Sequence, residues 1–293
     1  MTKITPVLVR KAFAERKLET QKWDYGHCLV IAGSKRLLGA AVLTTKAALR
    51  GGAGLVTLAT PRSLQMLVYS QVLEALTLGL DESEQGTIDV SALASVETYI
   101  KERGVTAVTV GPGLTRQAVA FVHQLVSHVA LPMVLDADAI NVAPPLTGSA
   151  LRCLTPHRKE FSRLVNVTEK EVMERGPVLA AQFAKSHPNA ILVLKGYHSK
   201  IFYGSQAWEN TTGNPGMAKG GSGDVLSGLM GAFLAQKAAQ GKLPESYLEA
   251  ILSAVYLHGL AGDLAAKELS QTAMNAEDIV DFLPKAIKQT LKR

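Results

Sequence analysis

The chain has 293 residues, 47% of them hydrophobic and 19% charged, with a formal net charge of +6. That balance belongs to an ordinary globular protein of one large or two small domains rather than to a disordered chain. No run of about 18 uninterrupted apolar residues is present, and the amino-terminal stretch MTKITPVLVRKAFAERKLETQKW lacks the apolar block of a signal peptide. No membrane span and a cytoplasmic location are therefore expected.

Much of the positive excess sits at the two ends, in Lys3, Arg10, Lys11, Arg16, Lys17 and Lys22, then Lys285, Lys288, Lys292 and Arg293. These cations are interleaved with Glu15 and Glu19 rather than with stacking aromatics, so they read as solvated helix faces and no nucleic-acid partner is expected. A mild positive balance also suits a small anionic ligand. The two cysteines, Cys28 and Cys153, lie in apolar segments without a CxxC pair, as buried reduced thiols do.

From the amino end, HCLVIAGS reads as a strand entering a loop, AAVLTTKAALR (40–50) as a helix stopped by GGAG, and LVTLATP (55–61) as a second strand ended by Pro61. VTAVTVGPG (105–113), LPMVLDADA (131–139) and NAILVLKG (189–196) repeat the pattern, each an apolar run followed by Gly, Asp or Lys. Runs apolar on both faces belong in a parallel sheet covered by helices, so a single α/β domain is expected. Ligands of such sheets bind beyond the carboxyl ends of the strands. That singles out Gly111, Gly113, Asp136, Asp138, His157, Glu160 and Lys195.

The segment GNPGMAKGGSGDVLSGLMGAF (213–233) combines a glycine-rich loop, a lone Asp224 and an apolar helix with Val225, Leu226, Leu229, Met230, Phe233 and Leu234 in its stripe and Gly241 as a stop. Gly228 and Gly231 would each cost that helix about 1 kcal/mol against Ala, so close packing is expected to require them. A helix amino terminus offers unpaired N–H groups and roughly half a positive charge, and glycines let an anion approach them. An isolated Asp before a helix most often caps it. A cap needs no glycine-rich approach, however, and a carboxylate beside an anion site repels the anion. The combination makes sense if Asp224 takes the proton from a hydroxyl that attacks a bound phosphate, whose oxygens the helix end stabilises. The loop is not a GxxxxGK[ST] loop, which disfavours that class of nucleotide hydrolase. Further on, YLEAILSAVYLHGLAGDLAA (247–266) reads as a long core helix, with His258 and Asp263 as polar interruptions assigned to packing.

These features resemble the ribokinase-like superfamily, whose Gly-x-Gly-Asp loop opens a helix and supplies the base. Within it the likeness is to the ADP- or ATP-dependent (S)-NAD(P)H-hydrate dehydratases. VIAGSKRLLGAAVLTTKAALRGGAGLVTLATP, VGPGL, VLDADAIN, TPHRKEF, VLKGYHS, GNPGMAKGGSGDVLSG and AVYLHGLAGDLAA carry it, in the family's order from about residue 26 to 266. The resemblance implies a ribokinase-like domain spanning 1–293, with a mostly parallel sheet and helices on both faces, and without the epimerase domain fused to some members. Sister vitamin kinases carry Thr-Pro-Asn-x-x-Glu where this chain has TPHRKE, so His157 replaces the amide as in the dehydratases and Glu160 is kept.

The same resemblance implies the roles. Asp224 would be the base and Ala40, Gly113 and His157 would contact the hydrated cofactor. Lys195, Gly196, Tyr197, His198, Ser199, Gly221, Ser222 and Gly223 would contact the nucleotide. Asp136, Asp138 and Glu160 are candidates for organising Mg²⁺ through water. ADP is the nucleotide the resemblance favours over ATP, and a homotetramer the assembly. Two other readings stay open at this point: a kinase of a small hydroxylated metabolite such as a vitamin precursor, and a non-catalytic nucleotide-binding module.

Overall fold

The computed structural model describes residues 1–13, 16–146, 148–241 and 244–292. Glu15 and Arg293, two of the terminal charges, lie outside them. Ten strands form one sheet: β1 (Thr2–Lys3), β2 (His27–Ile31), β3 (Leu55–Pro61), β4 (Leu76–Leu80), β5 (Ala107–Val110), β6 (Met133–Leu135), β7 (Arg152–Leu154), β8 (Ala190–Leu194), β9 (Lys200–Tyr203) and β10 (Gln206–Glu209). Their order is β1-β10-β9-β8-β7-β6-β5-β2-β3-β4, and every pairing is parallel except those of β9 with β8 and β10. The helices are α1 (Pro6–Ala12), α2 (Leu38–Arg50), α3 (Gln65–Tyr69), α4 (Leu93–Arg103), α5 (Val119–His128), α6 (Asp138–Asn141), α7 (Arg158–Leu164), α8 (Glu169–Ser186), α9 (Ser222–Ala239), α10 (Pro244–Leu269) and α11 (Ala276–Leu291).

Why the strands read as continuous apolar runs is visible in the two cores. Alternate residues of each strand enter opposite layers, Cys28 and Val30 of β2 joining Val225, Leu229 and Ile251, while Leu29 and Ile31 join Phe121, Leu125 and Phe183. With both faces covered, most positions along the strands are apolar, and the polar exceptions such as Thr57, Thr109 and Arg152 are buried too. Cys28 and Cys153 are both buried and free, as expected, and burial pushes the Cys28 thiol up to about 12.

Winding runs one way from β2 to β3 and β4, then returns to the other side of β2 with β5 and continues through β6, β7 and β8. The crevice between the carboxyl ends of β2 and β5 is therefore the topological switch point, where a doubly wound sheet receives its ligand. Helix α9 crosses this region, packing on α2, β2, β5 and β6. Its two glycines do what the sequence requires of them. A Cβ at Gly228 would lie 2.0 Å from the Thr44 carbonyl oxygen, and one at Gly231 would lie 2.0 Å from Thr109 Oγ1.

Helix α10 is long and apolar enough from Ser246 to Leu269 to match a membrane span by composition, yet its most apolar 18-residue window is 78% buried among its neighbours. It packs against α1, α9 and α11 as a core helix. Two of the terminal cations meet main-chain carbonyls: Arg10 donates to Thr290 O at 3.3 Å and Arg16 to Gly52 O at 2.7 Å. Cations at helix carboxyl termini satisfy the carbonyls left over there. This accounts for part of the basic excess.

Candidate active site

Asp224 lies in the first turn of α9, whose N-cap is Gly221 at φ 90° with no side-chain capping bond. Gly221 is required twice over, by that left-handed backbone and by Leu43 Cδ1, which a Cβ would meet at 2.6 Å. The carboxylate of Asp224 makes no hydrogen bond and no ion pair among the described residues, so it does not cap its own helix. Burial is the main reason its pKa rises to about 7, reinforced by the neighbouring charge of Asp136 and opposed by Lys195. A helix end with free donors, next to an unpaired carboxylate that titrates near neutrality, is what a general base beside an anion site requires.

Beneath it lies a fully paired carboxylate. Asp136, at the end of β6 and 1% exposed, accepts from Thr155 Oγ1 at 2.6 Å and Lys195 Nζ at 2.8 Å on one oxygen and from Ser227 Oγ at 2.7 Å on the other. Burial alone would raise its pKa, but Lys195 and the two hydroxyls outweigh that and hold it below the usual range. Lys195 is held protonated by the same exchange, Asp136 and Glu160 outweighing its burial. Its ammonium is thus a partner of Asp136, at 2.8 Å, and lies 3.9 Å from Glu160.

His157 and Glu160 open α7 as a capping box. His157 Nδ1 accepts from Lys159 N at 3.1 Å and Glu160 N at 3.4 Å, while Glu160 Oε2 accepts from His157 N at 2.8 Å. Burial and the nearby Lys195 lower the His157 pKa, so the ring is neutral near pH 7. Because Nδ1 accepts, Nε2 carries the proton; the side chain is 51% exposed, with Nε2 3.4 Å from Glu160 Oε1. Burial is also the main cause of the raised pKa of Glu160. Asp138 is occupied as well, accepting from Thr115 N at 2.9 Å and Asn141 Nδ2 at 3.3 Å. Among the described residues no three His, Cys, Asp or Glu side chains are grouped closely enough to enclose a metal ion.

At the switch point, Gly113 (φ 69°) presses on α2: a Cβ there would lie 2.6 Å from Leu37 O and 3.2 Å from Ala40 Cβ. Smallness at both positions is a packing requirement of this crevice. The segment Gly196–Ser199 is the turn between β8 and β9, closed by Gly196 N donating to Ser199 Oγ at 3.4 Å. It leaves Tyr197 89% exposed and stacked on His198, ring centroids 4.0 Å apart. Lys219, inside the glycine-rich loop, turns away from the site and donates to the carbonyls of Thr272, at 2.6 Å, and Met274.

The model of one protein family, described as NAD(P)H-hydrate dehydratase, matches residues 28–285. The chain belongs to the NAD(P)H-hydrate dehydratase family. A bifunctional NAD(P)H-hydrate repair enzyme of Moorella thermoacetica is 39% identical over 97% of this chain and 53% of its own length. The chain thus spans about half the length of the bifunctional relatives it matches. The ADP-dependent (S)-NAD(P)H-hydrate dehydratase of Bacillus subtilis is 33% identical over 96% of both chains. A crystal structure of the ADP/ATP-dependent NAD(P)H-hydrate dehydratase from Bacillus subtilis, co-crystallised with ATP/Mg²⁺, superposes with a TM-score of 0.83 at 29% identity, covering 99% of this chain and 98% of that one. The fold of this dehydratase-family chain is ribokinase-like, as the sequence motifs implied.

His258 and Asp263, which the sequence reading assigned to core packing, in fact reach the glycine-rich loop: His258 Nε2 is 2.9 Å from Ser222 O, and Asp263 accepts from Gly213 N at 2.9 Å. Periodicity could not reveal this, because a polar residue on an apolar helix looks the same whether it meets a loop or a core acceptor.

Proposed function

We propose that the chain carries out the nucleotide-dependent dehydration of the S form of hydrated NADH and NADPH, restoring the reduced cofactor, with 1–293 acting as a single catalytic domain. The observation that supports this most is Asp224, a half-buried carboxylate with no partner among the described residues, raised to about 7 beside a bare helix amino terminus. The names of the relatives agree with it.

In this account Asp224 accepts the proton of the ring hydroxyl as that oxygen bonds to the terminal phosphorus of ADP. The P–O bond to AMP breaks, and the charge on the transferring group is met by the N–H groups of Gly221, Ser222 and Gly223. Phosphate is a far better leaving group than hydroxide, so the ring nitrogen's lone pair expels it as a ring iminium forms, and loss of a proton from the neighbouring ring carbon to solvent returns the double bond. The balance is hydrated NADH plus ADP to NADH, AMP, phosphate and a proton. His157 Nε2–H would donate to the hydrated ring, with Ala40 and Gly113 leaving room for it, and Lys195 to Ser199 would border the nucleotide. Mg²⁺ would travel with the nucleotide phosphates and neutralise them, facing Glu160 and Asp138 across water; the saturated oxygens of Asp136 make it the least suited of the three.

Incubating the protein with hydrated NADH and ADP or ATP tests the reading. Return of NADH absorbance with one nucleotide consumed per turnover is expected. A stable phosphorylated product would indicate a metabolite kinase, and nucleotide binding without turnover a binding module. The resemblance further implies a cytoplasmic homotetramer. Exposed apolar side chains at one edge of the sheet, Met66 and Leu67 on α3, then Leu73 and Leu76, support self-association, which a solution mass measurement checks.

A further inference from the structure

Helix α10 carries two polar side chains that turn to the glycine-rich segment. His258, 9% exposed, brings Nε2 to 2.9 Å from the carbonyl oxygen of Ser222 and 3.5 Å from its hydroxyl. Burial lowers its pKa to about 4, so the imidazole is neutral and donates from Nε2 to that carbonyl. Five residues along, Asp263 receives Gly213 N–H at 2.9 Å on one oxygen and the Asn214 amide at 3.0 Å on the other. Asn214 in turn accepts from Gly216 N at 2.9 Å.

Between these two contacts the helix surface is shaped to the segment. A Cβ at Gly259 would lie 2.3 Å from Thr212 Oγ1, and one at Gly262 would lie 2.3 Å from Met217 Sδ. Thr212 Oγ1 also donates to Tyr256 O at 2.8 Å. The polar residues and glycines of α10 from 256 to 263 thus meet residues 212 to 222 from one end to the other.

We propose that this face of α10 is a template for the phosphoryl-binding loop. Asp263 fixes where the loop begins, and His258 fixes the carbonyl of the residue that opens α9. Between them they hold the free N–H groups at the start of α9 where the phosphoryl oxygens arrive. Both are positioning residues that act through the loop. A glycine-rich segment has more backbone freedom to lose than any other, so donors carried on it are preorganised only if something outside the loop holds it. This role rests on the dehydratase reading.

The test compares His258→Met and Asp263→Ala, which remove the contacts, with His258→Gln and Asp263→Asn, which keep a donor and an acceptor. Because a displacement of about 1 Å costs roughly 10²-fold in rate, the first pair should lower kcat at least about 30-fold while the KM for hydrated NADH stays within about threefold. The second pair should recover most of that loss. Hydrogen exchange of amides 213–223 should quicken about tenfold or more in the first pair, with β2 and β5 unchanged. Wild-type kcat and loop exchange in the first pair would overturn the template, as would Gln and Asn variants no better than Met and Ala. Should a first-pair variant not fold, Thr212→Val, which removes the hydroxyl bond to Tyr256 O and keeps the shape, decides: local quickening supports the template and no change refutes it. A wild-type protein without turnover would count against the dehydratase reading alone, since the exchange comparison needs no substrate.

Discussion

Helices α7 and α9 both begin beside Asp136, Lys195 and Glu160, and they treat their first turns in opposite ways. At α7 the chain supplies a reciprocal box: His157 receives two N–H groups and Glu160 returns the bond to His157 N. At α9 the cap is a glycine, no side chain receives the first-turn donors, of which only Ser222 N makes a long 3.5 Å bond to Lys219 O, and the acid of the first turn, Asp224, has no bonding partner among the described residues. A protein able to cap one helix so fully has no physical need to leave the other bare. The bare end is the place where binding and proton transfer are expected.

Breaking the contrast at α9 should have the largest consequence. Asp224→Asn keeps the shape and removes the base, and kcat should fall at least about 10³-fold while nucleotide affinity stays within a few-fold. The same change should raise stability at pH 8. A native pKa of about 7 means the folded state holds a proton that the unfolded chain has lost, so stability falls as pH rises from the ordinary 3.8 to about 7. The gain on thermal or urea unfolding is at most about 4 kcal/mol, less where solvent reaches the carboxylate. Unchanged turnover in this variant would remove Asp224 from the mechanism.

Next in size is Gly221→Ala. The left-handed backbone strains an alanine by about 1–2 kcal/mol, and its Cβ meets Leu43 and Ala276. We expect kcat to drop about 10²-fold, as for loss of one preorganised donor. A melting temperature lowered with kcat intact would mean that the loop is only a connection.

The smallest effect belongs to the capped end, where one substitution separates two duties. In His157→Asn the amide can still cap α7, so stability should stay within about 0.5 kcal/mol. The Nε2–H donor is lost, and the KM for hydrated NADH should rise about tenfold with that for ADP unmoved. An equal rise in both would place His157 outside the cofactor pocket.

How much of this could be read in the sequence depends on how local the signal is. Apolar runs ending in Gly, Asp or Lys located β2, β3, β5, β6 and β8, because burial on both faces of a parallel sheet leaves a mark on each strand alone. Gly221 and Asp224 were legible for the same reason, since loop, acid and helix adjoin. The capping box at His157 was half legible: Glu160 stands at the right spacing, but a histidine is not among the usual caps. The partners of Asp136 lie on β7, β8 and α9, and the targets of His258 and Asp263 lie dozens of residues away. Nothing in their immediate neighbourhoods announces either set.

The pH dependence of kcat/KM for hydrated NADH, from pH 5 to 9, tests the central claim most directly. A base must be ionised to work, and its folded pKa is raised, so the rate should climb tenfold per pH unit and level off above an apparent pKa near 7. The residual rate of Asp224→Asn should lack that limb. A wild-type profile flat across the whole range would contradict the account, because an ordinary carboxylate would already be ionised at pH 5.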